Sequence, residues 1–213
     1  EMCIRDRKKV EENNFGIRKR LLEYDDVMNQ QRTVIYNQRS EVLDGHDMKE
    51  KISNMIKSTV EQAVEQYAVG ESAAEWDFAG LRNHFYGILC NENDFNYTED
   101  ELSKLEPSDI TALLLERAMK VYESKDELIG KEDMREVERI ILLRSVDMHW
   151  MDHLDAMDDL RGSIGLQAYA QRNPICEYRI SGADMFDEMI ASIREETVRK
   201  VLSVIPKPGQ QMQ

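Results

Sequence analysis

The chain has 213 residues and a formal net charge of −14, with 28 Lys and Arg against 42 Asp and Glu. This excess of carboxylates argues against a nucleic-acid partner, because contacts with phosphates need clustered cations. Hydrophobic residues make up 41% of the chain, enough for a folded core. No 18 apolar residues follow one another, and no cationic segment precedes an apolar run. We therefore expect neither a membrane span nor a secretory signal.

Glycine and proline are scarce whereas Glu, Lys, Met, Leu and Arg are frequent, so we predict an all-α fold. The cysteines, Cys3, Cys90 and Cys176, are odd in number and far apart. They match neither a disulfide framework nor the spacing of a zinc site, and they favour a reducing cytosol. The chain begins with Glu1 rather than Met, and residues 1–7 show no usable pattern. We expect a fragment of a longer protein.

The first predicted element is a long helix from Lys8 to Asp44, which Gly45 ends. Apolar side chains recur along one face at seven-residue intervals, at Leu21, Met28, Ile35 and Val42. The neighbouring column contains Tyr24 but turns polar further along, so the seam against a partner is narrow. At about 1.5 Å per residue this helix would extend for about 55 Å. It would be longer than a compact domain of about 100 residues, and we interpret it as a strut.

A small helical subdomain is predicted for residues 46–125. Its first helix has an apolar face made of Met48, Ile52, Met55, Thr59, Ala63 and Tyr67. A shorter helix follows, and a capping box is expected between Thr98 and Glu101. A further helix starts at Pro107, with these residues expected to face inward: Ile110, Leu114, Ala118 and either Val121 or Tyr122. These elements together can bury a core of their own.

A helical hairpin is predicted for the rest of the chain. Its first arm begins near Lys131, and the pattern breaks at residues 161–163, where a loop bounded by glycines and Pro174 begins. The second arm ends at the proline that opens residues 206–213, a tail that we expect to be disordered.

The chain carries no nucleotide-binding motif. Its one Gly-Lys pair, at residues 130–131, is followed by an acidic residue and fails the phosphate-loop pattern, so we expect no ATP hydrolysis by this chain alone. His149 and His153 share a helical face, but Trp150 stands where a zinc hydrolase has Glu. We therefore expect no metal site, with His153 packed at the hairpin seam and His149 on the surface.

Two features of the hairpin allow both a functional and an ordinary interpretation. Between Arg161 and Arg179 the chain carries three cations and one anion, with Tyr169 among small residues at the end of a projection. This segment is either a loop that binds a partner or an ordinary turn. Several methionines either form an adaptable binding surface or fill the hairpin core: Met148, Met151, Met157, Met185 and Met189.

Three long stretches of the sequence are specific enough to indicate a family. They are LEYDDVMNQQR at 22–32, WMDHLDAMDDLR at 150–161 and IGLQAYAQRNP at 164–174. In that order they resemble the long scaffold helix, the first arm of the two-helix finger and the fingertip loop of the SecA family, the ATP-driven motors of bacterial preprotein export. The resemblance covers about Lys8 to Ile205.

The resemblance implies an all-α architecture with a long scaffold helix, a small helical wing and an antiparallel two-helix finger. Residues 8–45 would be the long helix of the helical scaffold domain, and 46–125 would be the helical wing inserted in it. Residues 126–205 would complete the scaffold domain and carry the finger. Residues 1–7 do not resemble the family.

The resemblance also implies a mechanical role in protein export, at the inner face of the bacterial plasma membrane. The finger would enter the mouth of the SecYEG channel, and its tip would contact unfolded preproteins through Leu166, Gln167, Tyr169, Gln171 and Arg172. The scaffold seam would contact the nucleotide-binding domains of the same subunit through Leu21, Tyr24, Met28 and Ile35. A second SecA copy is a further partner that the resemblance allows.

Some features of the chain depart from the family. No part of it resembles the motor domains, so no catalytic residue is assigned, and ATP and Mg²⁺ would bind in those domains rather than here. The cysteine-rich zinc tail of many members is not found. Gln167 stands where members often carry Arg, which removes a cation from the tip. Two alternatives stay open: a free-standing helical adaptor without a motor, and a zinc hydrolase that uses His149 and His153.

Overall fold

A computed structural model describes residues 2–44, 48–167 and 173–205. Within these ranges the chain forms seven α-helices and one short 3-10 helix and contains no strand, which confirms the all-α prediction. The helices are α1 Met2–Asp44, α2 Met48–Tyr67, the 3-10 helix Ala73–Glu75, α3 Phe78–His84, α4 Glu99–Leu102, α5 Pro107–Ile129, α6 Lys131–Gln167 and α7 Pro174–Ser203. None of the described helices combines the length and the apolar character that crossing a bilayer requires.

Two helices extend beyond their predicted limits. Helix α1 begins at Met2 rather than Lys8, since nothing in the first residues breaks a helix. Helix α6 continues through Gly162 to Gln167, so the break predicted at residues 161–163 was wrong. A glycine in a helix costs about 1 kcal/mol. Burial of Ile164 two residues later offsets this cost, because a buried isoleucine contributes about 1.5–3 kcal/mol.

The boundaries of the other helices follow local capping rules. Helix α7 starts with Pro174 in its first position, where a missing amide hydrogen is harmless, and the side chain of Asn173 accepts a hydrogen bond from the Ile175 amide at 3.2 Å. Glu101 accepts one from the Thr98 amide at 2.8 Å, as predicted from the sequence. Gly130 alone separates α5 from α6, with a φ of +98° that favours glycine.

Contacts between Cα atoms divide the chain into two compact units. Unit 1 consists of Glu1–Leu43 and Val146–Ile190, and unit 2 of Asp44–Ser145 and Ala191–Gln213. These borders differ from the expected domains, because residues 126–145 group with the expected wing. The assignment of scaffold and wing domains stays a prediction.

Unit 2 has a core of its own. The predicted face of α2 is buried at Met48, Ile52, Thr59 and Ala63. The predicted inward residues of α5 are buried as well, at Ile110, Leu114, Ala118 and Tyr122. Phe95 lies in the same unit with a positive φ of 61°, a conformation that costs a non-glycine residue about 1 kcal/mol, and its ring stacks on Phe78 at 5.8 Å.

We expect two leucines of α5 to differ sharply in their contribution to stability. Leu114 is 0% exposed and Leu128 is 64% exposed. Leu114→Ala should lower the free energy of unfolding of the chain by about 2–5 kcal/mol, because it leaves a cavity. Leu128→Ala should change it by less than about 0.5 kcal/mol. Urea unfolding followed by circular dichroism measures both, and similar losses for the two variants would contradict this packing.

Candidate functional site

The predicted fingertip lies at the connection between α6 and α7. Leu166 and Gln167 are the last residues of α6, whereas Tyr169, Gln171 and Arg172 lie outside the residues that the structure describes. The helices on either side of the connection are packed together in unit 1. Their contacts run in opposite chain directions, because Ile164 clusters with Tyr178 while the earlier Met157 lies against the later Gly182. The two helices are therefore antiparallel here, and their action as a finger stays a prediction.

The seam predicted on α1 is covered largely by unit 1 itself. Ile35 is 1% exposed, and Tyr24 and Met28 pack on the cluster of Met157, Ile164 and Tyr178. The ring of Tyr24 meets that of Tyr178 edge to face, with centroids 4.7 Å apart. These three seam residues are consequently occupied within the chain in this conformation. Leu21, the fourth, remains 50% exposed.

The exposed part of α1 continues the face that is covered further along the helix. Val10, Ile17 and Leu21 are separated by seven and four residues, which places them on one side, in line with Met28 and Ile35. All three have 44% or more of their surface exposed. One apolar stripe thus runs along α1, covered by α6 and α7 toward its C-terminal end and open toward its N-terminal end.

A polar joint lies within the covered part of this stripe. Gln31 is 7% exposed and His153 is 4% exposed. The Gln31 amide nitrogen donates to the carbonyl oxygen of Gly182 at 2.8 Å, and its oxygen lies 2.8 Å from His153 Nε2. Because the amide oxygen can only accept, His153 carries its proton on Nε2. One side chain of α1 is therefore hydrogen-bonded to both α6 and α7.

The His153 ring is held on two sides by aromatic rings. Its centroid lies 5.7 Å from that of Trp150 and 5.7 Å from that of Phe186. Burial among these groups lowers the pKa of His153 below its ordinary value of 6.5, because the charged imidazolium would lose its hydration. The sequence-based expectation that His153 packs at the seam is confirmed. The role of Gln31 was missed, because it lies where the neighbouring column turns polar and two glutamines follow Tyr24 at seven-residue intervals.

An open cleft of about 360 Å³ lies beside the joint, between α1 and α7. Its lining consists of Asp26, Val27, Gln30, Gln31, Arg179, Ala183, Phe186 and Asp187. Its charged residues are exposed, and because Gln31 belongs to the lining, solvent reaches one side of the joint.

The methionines of the hairpin divide between the two interpretations. Met157 and Met189 are buried, and Met185 packs on the unit 1 cluster. Met148 and Met151 are exposed on α6 at 46% and 59%. The core interpretation therefore holds for the first three, while the other two are available at the surface.

Unit 2 contains a buried network of charged groups that the sequence did not reveal. Glu138 is fully buried, accepts a hydrogen bond from the Tyr122 hydroxyl at 2.7 Å and pairs with Arg135 at 2.9 Å. Arg135 also pairs with Asp126, which Lys49 approaches to 3.1 Å. Burial raises the pKa of Glu138, opposed by the Tyr122 hydrogen bond and the Arg135 charge. Because its charges are paired with one another, we interpret this network as part of the structural core of unit 2 and not as a binding site.

The described part of the chain brings together no group of three or more His, Cys, Asp or Glu side chains suited to a metal. In the pair considered for zinc, the Nε2 atom of His153 is occupied by Gln31. The zinc hydrolase alternative therefore has no support in unit 1.

Comparisons with known proteins agree on one family. A family model described as the SecA wing and scaffold domain matches residues 4–205, which includes part of the patternless stretch 1–7. The chain is 48% identical to protein translocase subunit SecA 1 of Clostridioides difficile over 197 residues, 92% of the chain and 22% of that protein. It is 46% identical to the SecA subunit of Desulforamulus reducens over 198 residues, with the same two coverages. The SecA subunit of Pelotomaculum thermopropionicum is 45% identical over 208 residues, 97% of the chain and 23% of that protein. The chain thus spans less than a quarter of the length of these relatives.

The buried His153 should make the stability of unit 1 dependent on pH. Its pKa is lower in the folded than in the unfolded chain, so between these two values the unfolded chain binds more protons. The neutral His153 makes its full contribution to the free energy of unfolding above about pH 6.5. This contribution is lost as the pH falls through the pKa of His153 in the folded chain, at up to about 1.4 kcal/mol per pH unit.

Urea unfolding between pH 7.5 and 5.0 measures this effect, with Trp150 fluorescence reporting on unit 1 in a Trp76→Phe background. His153→Gln should unfold with a shallower dependence on pH, because all other titrating groups are common to both proteins. Parallel pH curves for the two proteins would show that His153 does not contribute.

Proposed function

Because the chain belongs to the SecA wing and scaffold family, we propose that it is the mechanical part of a protein translocase subunit. Movements of ATP-binding domains elsewhere in the subunit reach α1, and α1 passes them to α6 and α7. The connection between these two helices then acts on an unfolded preprotein at the SecYEG channel, at the inner face of the plasma membrane. The chain itself supplies no catalytic group in this proposal, and ATP and Mg²⁺ bind in the other domains.

One observation carries the proposal: α1 is a single helix with two differently covered halves. Over its 43 residues it spans about 65 Å. Toward its C-terminal end, Tyr24 and Met28 pack on α6 and α7, and Gln31 is hydrogen-bonded to both helices. Toward its N-terminal end, Val10, Ile17 and Leu21 are open. A helix with one covered and one open half is suited to transmit displacement between a partner and its own unit.

The open half also separates this function from that of a free-standing adaptor. Exposed apolar stripes of this kind usually mark a surface that another protein or domain covers. We assign the open half of the stripe to contact with the nucleotide-binding domains of the complete subunit. A free-standing chain with no partner on this face would leave the stripe in water.

The tip proposal is tested by Tyr169→Ala in a complete subunit that carries this chain. Loss of the aromatic ring should reduce precursor transport by about tenfold, because aromatic side chains supply a large contact area for any passing side chain. The ATPase rate without precursor should change much less, since the nucleotide sites lie in other domains. Protease-protected precursor in vesicles and phosphate release measure the two rates.

Tyr86→Ala is the matched control for this experiment. Tyr86 is 53% exposed in unit 2, far in sequence from the tip, and its replacement should leave transport within about twofold of the unsubstituted subunit. Equal losses of transport and ATPase activity in the Tyr169→Ala variant, or no loss of either, would contradict the proposed contact between the tip and the preprotein.

A further inference from the structure

The Gln31 joint is a buried polar contact among the apolar contacts that hold α1 to α6 and α7. We propose that Gln31 is a positioning residue that sets the register of both helices on α1, so that they follow α1 together. This inference rests on the proposed function, because it concerns how displacement of α1 reaches the connection between the two helices.

The apolar contacts around the joint are poorly suited to set a register. They include Met28, Met157 and Met185, whose flexible side chains adapt to shifted neighbours. The ion pair between Arg39 and Asp147 also links α1 to α6, at 2.8 Å. Its two side chains are 42% and 50% exposed, so water and salt weaken it.

The two hydrogen bonds of Gln31 depend much more strongly on position. Hydrogen bonds between nitrogen and oxygen weaken steeply beyond about 3.2 Å, and both bonds measure 2.8 Å. A slip of either helix by one residue moves its partner atom by about 1.5 Å, which breaks that bond. Both side chains are buried and only that of Gln31 borders the cleft, so water replaces a broken bond only in part.

The joint is closely surrounded by side chains of α6 and α7. A Cβ atom at this position would lie 2.7 Å from the Cε atom of Met157 and 3.8 Å from the Gln31 amide nitrogen. The absence of a side chain leaves room for the end of the Met157 side chain, whereas a Cβ atom would make only an ordinary contact with Gln31. On the other side, Trp150 and Phe186 fix the plane of the His153 ring and so the direction of its Nε2 atom.

The first test compares Gln31→Leu with Gln31→Leu/His153→Leu in a complete subunit that carries this chain. Gln31→Leu leaves the buried His153 N–H without a partner. Hydrogen exchange of residues 150–164 and 175–190 should then rise about two- to tenfold, the factor that corresponds to one buried hydrogen bond. Precursor transported per ATP hydrolysed should fall by a similar factor.

The double variant separates positioning from stability. It removes both polar partners, so protection against exchange should return toward that of the unsubstituted subunit. The transport yield per ATP should stay low, because the buried directional contact that sets the register is gone. Recovery of yield together with protection would overturn the proposal, as would a Gln31→Leu variant that changes neither quantity. Gln30→Leu, at the neighbouring exposed position, should leave both quantities unchanged.

Gln31→Glu provides an independent readout. The carboxylate still accepts a hydrogen bond from His153 but cannot donate to the Gly182 carbonyl. Exchange should therefore rise in residues 175–190 of α7 and not in residues 150–164 of α6. An equal rise in exchange in both helices, or no rise in either, would overturn the proposal that Gln31 holds each helix through a separate hydrogen bond. If instead Tyr169→Ala leaves transport intact, the proposed function fails, while the exchange results still decide the role of Gln31.

Discussion

The central constraint in unit 1 is the buried amide of Gln31. A buried amide must use both its donor and its acceptor, since an unpaired polar group costs about 1–3 kcal/mol. Gln31 meets this demand with one bond to each of two different helices, to His153 of α6 and to Gly182 of α7. The position of each helix on α1 is thereby tied to that of the other. Apolar packing supplies the stability of this arrangement, and the amide supplies its uniqueness.

The two parts of α1 can be understood from this constraint. Where α6 and α7 cover it, Gln31 lies beside its apolar column and is hydrogen-bonded to both helices. Where they do not, Val10, Ile17 and Leu21 continue the apolar stripe, with Asn14 among them, and remain exposed. The helix is long because it serves two surfaces. In unit 2, by contrast, the buried polar groups are charges, and Arg135 links Asp126 to Glu138 near the junction of α5 and α6.

Much of this fold could be predicted from local patterns in the sequence. The apolar faces of α2 and α5, the hydrogen bond between Glu101 and Thr98 and the burial of His153 all follow from spacing or capping. Failures arose where distant contacts decide. Helix α6 passes Gly162 because Ile164 packs on Tyr178 of another helix, which no local signal reveals.

The candidate site was less predictable than the fold. The column of Met28 and Ile35 correctly indicated an apolar face, but periodicity does not say which element covers it, and here α6 and α7 cover much of it. Gln31 lies where the column of Tyr24 turns polar, so it looked like an ordinary surface residue. Its two partners are 122 and 151 residues away in the sequence, and no local pattern indicates them. The tip residues near Tyr169 were identified from family resemblance alone, and their role stays a prediction.

The most direct measurement is the distance between spin labels on α1 and α7 in a complete subunit that carries this chain. Asn29 and Asp184 are exposed positions on these helices that can carry the labels once the native cysteines are replaced. If α1 and the two helices move as one body, the distance distribution should be the same without nucleotide and with a bound ATP analogue. A shifted or divided distribution in one state would show that α1 slides on α7, and would contradict the account.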